Sequence, residues 1–309
     1  MKVLVAYGGD SPEREVSLRS GEAVAGALRG LGWSVEAFDA PSPLAVARRA
    51  EETGVDMVFV ALHGGWGEDG TLQCLLEAHG IPYTGPRWGA CWACMDKDVT
   101  RAVLESRGVL VPPGVVVDDG RCPGDLLGDA LERWGRIVVK PCRCGSTVGI
   151  GIVDNPGDLG GALQEAVRYD RKVVAERFIA GRELTVAVFD GEDGVFALPP
   201  VEIRPVGGFY DYNSKYTPGM TEYLCPAPLT HEELKEVSDA AVRAYVAMGC
   251  SVYSRVDLRL EEGTCRAYVL EVNTAPGMTA TSLVPKAAKA FGWSFEEMLR
   301  RICETSLRL

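Results

Sequence analysis

The 309-residue chain predicts a mixed fold, α/β at its N-terminus and α+β thereafter, and three observations carry that reading. Apolar β runs alternate with helical periodicity from Val3 to about Leu62, the pattern of parallel strands covered by helices. From about Asp96 the texture changes to short β runs, glycine loops and isolated helices. Near the C-terminus, SRVDLRL and CRAYVLEVN flank the turn-like EEGT and read as a hairpin.

Taken in order, VLVAY reads as a strand and Pro12 to Leu31 as an amphipathic helix, with Ser11 as N-cap and proline at the first helical position. Strand SVEAFD, a helix near Ala45–Glu52 and strand DMVFVAL complete a βαβαβ unit. The third strand runs into the glycine loop HGGWGEDG, and open α/β sheets bind ligands at such carboxyl-end loops. The helix DKDVTRAVLESRG ends at VPPG, and RIVVKP, CRCGSTVG, IGIV, a helix and KVVAERF form a small α+β block. A third region opens near Glu183 with strands ELTVAVFD and VEIR. It continues through the irregular GGFYDYNSKYTPGMTEYLCPAP, a helix near Glu232–Met248, the hairpin, and helices around Ser282–Ala290 and Phe295–Thr305. The expected units are 1–95, 96–182 and 183–309. The irregular stretch is long for a connection, so 207–225 is expected to be a lid.

Composition bounds the function. With 47% hydrophobic and 24% charged residues the chain is globular in profile, and a net charge of −11 argues against nucleic acid as partner. A locally basic nucleotide pocket remains compatible with that charge. The opening MKVLVAYGGD is too short an apolar run for a signal peptide, and no run approaches the roughly 18 apolar residues of a membrane span. A cytoplasmic location and reduced thiols are expected for the ten cysteines, although Cys91 and Cys94 form a C-x-x-C and Cys142 and Cys144 a C-x-C.

Chemistry concentrates in the hairpin. Side chains two apart on a strand share a face, so Arg255 lies beside Asp257 and Glu271 beside Asn273. Two carboxylates and an amide oxygen suit Mg²⁺, and the guanidinium suits developing anionic charge. A solvated face with a chance salt bridge is the plainer alternative. The loop Pro141–Gly149, with Lys140 before it, has the make-up of a phosphate-wrapping turn without the P-loop spacing, and Lys140 reads equally as a strand-end lysine.

The motifs GGDSPEREVS, ALHGGWGEDGTLQ, PYTG, MDK, VKP…GSTVG, YDYNSKY, CPAPL, RVDLRL and LEVNTAPGMT occur in order along the whole chain. Together they closely resemble the D-alanine–D-alanine ligases, members of the ATP-grasp fold. The resemblance implies an N-terminal parallel α/β domain followed by central and C-terminal domains that sandwich ATP. It implies Asp257, Glu271 and Asn273 as ligands of two Mg²⁺ ions, with Mn²⁺ as a substitute. Lys97 and Lys140 would meet the α- and β-phosphates, Lys215 the γ-phosphate and Glu183 the ribose. Glu176, Phe178 and Ile179 would form the adenine segment, although Glu176 and Glu183 read equally as solubilising edge-strand charges. On the substrate side, Glu13 would bind the ammonium of the first D-alanine, with Ser146 and Tyr216 bonded to it and holding the lid. Arg255 and the Gly277 N–H would form the oxyanion hole, and Ser282 and Leu283 would take the second carboxylate. His63 would lie near the reacting groups, or simply satisfy loop carbonyls; for Tyr216 the plainer alternative is a loop aromatic that packs. Many relatives have glutamate where this chain has Cys144, which removes an acidic hydrogen-bonding group from the phosphate loop.

The implied reaction joins two D-alanines at the expense of ATP, through an acylphosphate, for peptidoglycan precursors. Rival readings are a D-alanine–D-lactate or D-alanine–D-serine ligase, against the first of which Tyr216 argues, and a nucleotide-binding regulatory protein without catalysis. Dimers are common in the family.

Overall fold

The structure is a computed structural model that describes residues 1–118, 125–145, 148–206 and 219–309. Strands β1 (Lys2–Gly8), β2 (Ser34–Ala40) and β3 (Met57–Val60) form a parallel sheet in the order β2-β1-β3. Val3, Leu4, Val5 and Ala6 are all fully buried, which is why β1 is a continuous apolar run: both its faces are covered. Helix α1 (Arg14–Gly30) buries Ser17, Ser20, Gly21, Val24, Ala25 and Leu28, one stripe at helical spacing. Gly21 is required there, since a Cβ would stand 2.3 Å from the Tyr7 ring.

The start of α1 differs from the expected cap. Glu13, not Ser11, flanks the first helical residue, and no side chain caps the helix. Ser11 Oγ instead donates to the His63 carbonyl at 2.6 Å and accepts from Glu13 N–H at 3.1 Å. The serine ties two loops together, and Pro12 lies in the turn before the helix.

Helices α2 (Pro43–Thr53), α3 (Thr71–Ala78), α4 (Trp88–Met95) and α5 (Lys97–Ser106) follow. An antiparallel sheet in the order β4-β7-β5-β6 is built from β4 (Gly114–Asp118), β5 (Ile137–Pro141), β6 (Gly151–Val153) and β7 (Lys172–Arg177), with α6 (Asp125–Trp134) and α7 (Leu159–Val167) against it. Strand β4 and helix α6 were not separately legible. β4 is a short edge strand whose side chains are mostly half-buried, so it lacks a clear in-out alternation.

The larger sheet runs β11-β10-β8-β12-β13, with β9 also on β8. Its strands are β8 (Gly181–Gly191), β9 (Gly194–Ala197), β10 (Val201–Pro205), β11 (Thr221–Leu224), β12 (Tyr253–Glu261) and β13 (Ala267–Asn273). Helices α8 (His231–Ala247), α9 (Leu283–Phe291) and α10 (Phe295–Ser306) complete the chain. The expected lid at 207–225 needs correction at its end: Thr221–Leu224 is not irregular but pairs antiparallel with β10. Residues 207–218 lie outside the described residues.

Packing ties these sheets together. Val3, Val5, Met57 and Phe59 share a core with Phe189, Tyr253 and the inner faces of α9 and α10. Leu104, Val109 and Val111 pack with Val237, Val256 and Val269 under the larger sheet. So α5 lends its apolar face to the third region, and the core of the four-stranded sheet begins only near Val115. Within the described residues, no helix is long and apolar enough to cross a membrane.

Candidate active site

The hairpin brings its four polar groups to one face through a register shift. Arg255 pairs with Asn273 and Asp257 with Glu271 across β12 and β13; a bulge follows, so Leu258 faces Val269. Arg255 grips Asp257 with two bonds, Nε to Oδ1 at 2.9 Å and Nη2 to Oδ2 at 2.7 Å, while Nη2 lies 3.7 Å from Glu271 Oε1. Thr185, opposite Asp257 on β8, donates to Asp257 Oδ1 at 2.5 Å. The donor set is hard oxygen throughout and lies on a cavity wall, which fits a divalent cation of the Mg²⁺ type.

Two cavities meet at this hairpin. The larger, about 300 Å³, is lined by Glu13, His63, Glu68, Arg255, Asn273, Gly277, Ser282 and Leu283 among others. The smaller, about 100 Å³, is lined by Lys140, Glu176, Phe178, Ile179, Glu183 and Asp257. Lys97 and Glu271 belong to both walls, with Lys97 Nζ 3.9 Å from Glu271 Oε2. Every proposed residue that the structure describes therefore lines one or other of these two adjoining cavities. Ser146, Lys215 and Tyr216 lie outside the described residues.

Local structure explains each position. Asp96 caps α5, its Oδ1 accepting from the Asp98 and Val99 N–H groups, and this sets Lys97 at the first helical position. Lys97 Nζ then donates to the Cys144 carbonyl at 2.7 Å. The loop that holds Cys144 has another anchor: Arg143 makes a forked pair with Asp170, at 3.0 Å from Nε and 2.7 Å from Nη2, and its N–H adds a third bond. The missing glutamate is thus not the only means of ordering this turn.

Glu176 is 2% exposed on the inner strand β7, bonded to Lys140 and, at 2.9 Å, to Arg101 Nη1. Glu183 lies on β8 between β10 and β12. Neither is on an edge strand, which removes the solubilising reading of both. Glu176→Ala is expected to strip two buried cations of their shared carboxylate and destabilise the fold by roughly 3–5 kcal/mol, read from urea midpoints. A loss under about 1 kcal/mol would mean that the network is solvated.

On the substrate side, a Cβ on Gly64 would stand 2.9 Å, and one on Gly145 3.3 Å, from Glu13 Oε2. Two glycines from separate loops thus admit this carboxylate. His63 is buried, with Nδ1–H on the Ala275 carbonyl at 2.9 Å and Nε2 accepting from Ser20 Oγ at 2.8 Å. Ser20 Oγ in turn accepts from Met278 N–H at 3.2 Å. This relay fixes one tautomer, and burial lowers the imidazole's basicity, so the ring is held neutral. It pins the 275–278 turn against α1, and with it Gly277, where a Cβ would meet Ser282 Oγ at 2.9 Å. Ser282 precedes α9 and bonds to the Thr279 N–H at 3.0 Å.

Sequence reading assigned no role to Glu68, although it lies in HGGWGEDG. It is buried in the larger cavity and accepts from Gly64 N–H at 2.9 Å. Burial first, and then the negative charge of Glu13, pushes its carboxyl up to about 8. Between the ordinary carboxylate range and that value the native state holds a proton that the unfolded chain has released. Stability should therefore fall across this window by about 1.4 kcal/mol per pH unit for this group. Glu68→Gln is expected to flatten that fall between about pH 5 and 8, measured by denaturation of the metal-free protein; parallel curves would mean that Glu68 is ionised. The C-x-x-C thiols diverge. Cys91 Sγ donates to the Pro86 carbonyl, whereas Cys94 Sγ lies 4.0 Å from Cys250 Sγ. Among the described residues no group of three or more His, Cys, Asp or Glu is placed to hold a metal.

A cavity roofed by a small antiparallel sheet and floored by a larger one is the arrangement of an ATP-grasp protein. Family models for the D-ala D-ala ligase C-terminus and N-terminus match residues 133–304 and 39–86. The chain is 48% identical over 301 residues to the D-alanine–D-alanine ligase of Syntrophotalea carbinolica, covering 97% of this chain and 94% of that one. Among solved structures, the D-alanine–D-alanine ligase of Bacillus anthracis complexed with ATP superposes with a TM-score of 0.86 at 33% identity, covering 100% and 98% of the two chains. The VanG D-Ala:D-Ser ligase of Enterococcus faecalis gives 0.83 at 31%, covering 99% of each. The chain belongs to the D-alanine–D-alanine ligase family.

Proposed function

We propose that this chain condenses two D-alanines with ATP to give D-alanyl-D-alanine, ADP and phosphate. The observation that carries the reading is the shared wall: Lys97 and Glu271 border both cavities, so a nucleotide in the smaller one would extend its phosphates toward a substrate in the larger. Phe178 and Ile179 offer apolar walls and backbone groups to adenine beside Glu176, and Glu183 accepts from the ribose. Lys97 and Lys140 neutralise the inner phosphates. Asp257, Glu271 and Asn273 would hold two Mg²⁺ ions, or Mn²⁺, which would offset the negative charge of the phosphates.

A carboxylate is a poor electrophile, being anionic and lacking a leaving group. Glu13 orients the first D-alanine through its ammonium, so that a carboxylate oxygen attacks the γ-phosphorus and an acylphosphate forms. The second D-alanine is held by its carboxylate at Ser282 and the N-terminus of α9, where N–H groups point outward. Its amine attacks the acyl carbon, and Arg255 with the Gly277 N–H meets the oxyanion. Collapse expels phosphate. His63 acts by fixing the turn that carries Gly277. Roles for Ser146 and Tyr216 at Glu13, and for Lys215 at the γ-phosphate, rest on the resemblance. So do the lid, the units 1–95, 96–182 and 183–309, a homodimer, and a cytoplasmic place in peptidoglycan precursor synthesis.

Incubation with ATP, Mg²⁺ and D-alanine, alone or mixed with D-serine or D-lactate, tests this reading by product analysis. One D-alanyl-D-alanine per ADP is expected. A mixed product in preference would reassign the second substrate, and nucleotide binding without phosphate release would leave a regulatory protein.

A further inference from the structure

The floor of the smaller cavity carries a charged residue, within RVDLRL, to which neither the resemblance nor the mechanism gives a role. Arg255, Asp257 and Arg259 alternate along β12 and so share one face. Arg259 sits directly opposite Glu183 in the β8–β12 pairing. Its Nη1 lies 3.2 Å from Glu183 Oε2, and its Nη2 donates to the Gly181 carbonyl at 2.8 Å. Its Cζ stands 5.1 Å from the centre of the Phe178 ring, a ring that also meets Arg136 at 4.3 Å. Arg259, Glu183 and Phe178 all line the cavity. Arg259 Nε is buried and has no hydrogen-bond partner among the described residues.

We propose that Arg259 is a positioning residue for the nucleotide sugar, holding the Glu183 carboxylate so that this protein selects ribonucleotides over deoxyribonucleotides. The inference rests on the reading of Glu183 as the ribose-binding group. A carboxylate that accepts from vicinal hydroxyls must be ionised and fixed in rotation, and a fork anchored to a carbonyl does both. The Phe178 contact sets the second coordinate, since the same guanidinium touches both the sugar carboxylate and a wall of the base pocket. A salt bridge that served only stability would have no reason to distinguish sugars.

Equilibrium binding of ADP and of its 2′- and 3′-deoxy analogues tests the proposal without requiring turnover. The native protein should prefer ADP by about tenfold or more, the scale of one charge-assisted hydrogen bond. Arg259→Met should weaken ADP binding by about that factor and leave the deoxy analogues nearly unchanged, so the preference collapses to within about twofold. Arg259→Lys, which keeps the charge and loses the fork, should fall between; it decides alone if Arg259→Met does not fold. Glu183→Gln separates the two layers. Loss of preference in Glu183→Gln with full preference in both Arg259 variants would overturn the role of Arg259 and leave the sugar carboxylate intact. Full preference in Glu183→Gln would overturn the reading of Glu183, and the proposal with it.

Discussion

Glu271→Gln should leave the fold intact and lower turnover by roughly three orders of magnitude. Glu271 is 28% exposed, and its neighbours Lys97 and Arg255 stand 3.9 and 3.7 Å away, so its ion pairs contribute little to stability. The charge also lies near Asp257 and helps to hold a proton on Glu68, so its removal relieves repulsion. Thermal midpoints should therefore stay within a few degrees. The functional loss is different in kind. Losing a carboxylate that would hold the divalent cation beside the transferring phosphate forfeits about 4 kcal/mol, or about 10³-fold in rate. Turnover near the native rate would make Glu271 a structural residue and detach the hairpin from the chemistry.

Arg255→Lys should separate stability from catalysis. The lysine keeps a positive charge beside Asp257, which retains its bond from Thr185, so stability should change by about 1 kcal/mol or less. The fork is lost, because an ammonium cannot hold Asp257 through two nitrogens and still face the oxyanion. Turnover should drop by about 10²–10³-fold, the effect of losing one preorganised donor. Arg255→Met should add a folding penalty of about 3 kcal/mol by leaving the Asp257 carboxylate without the cation that holds it. Equal, small losses of activity in both variants would place the oxyanion elsewhere.

Much of the site was legible because it obeys a local rule. That Arg255 lies beside Asp257 and Glu271 beside Asn273 follows from a two-residue period, but a turn at Glu261–Thr264 alone would set the two pairs on opposite faces; the register shift between Asp257 and Leu258, which no residue pattern announces, brings them together. The βαβαβ start was equally plain, because β1 is apolar on both faces. What escaped depends on distant parts of the chain. Glu68 is buried by the surrounding loops, and nothing in HGGWGEDG marks it as different from Asp69. Arg259 shares the face of Arg255 and Asp257 by the same period, but only the pairing of β8 with β12 sets it opposite Glu183 under a cavity. Strand β11 is only four residues long, TEYL, with none of its side chains fully buried, so it is too short for an apolar alternation to reveal it. Ser11 looked like a cap because a serine before proline usually is one, yet the loop after β3 competes for its hydroxyl and wins.

The central claim is that one cleft first phosphorylates a carboxylate and then lets an amine displace the phosphate. Carrying D-alanine labelled with ¹⁸O in its carboxylate through turnover tests it most directly, by mass analysis of the inorganic phosphate released. The oxygen that attacks the γ-phosphorus remains on phosphorus when the acylphosphate collapses, so one ¹⁸O per phosphate is expected for each dipeptide formed. Phosphate free of label, with dipeptide still accumulating, would contradict an acylphosphate and require another route of carboxylate activation.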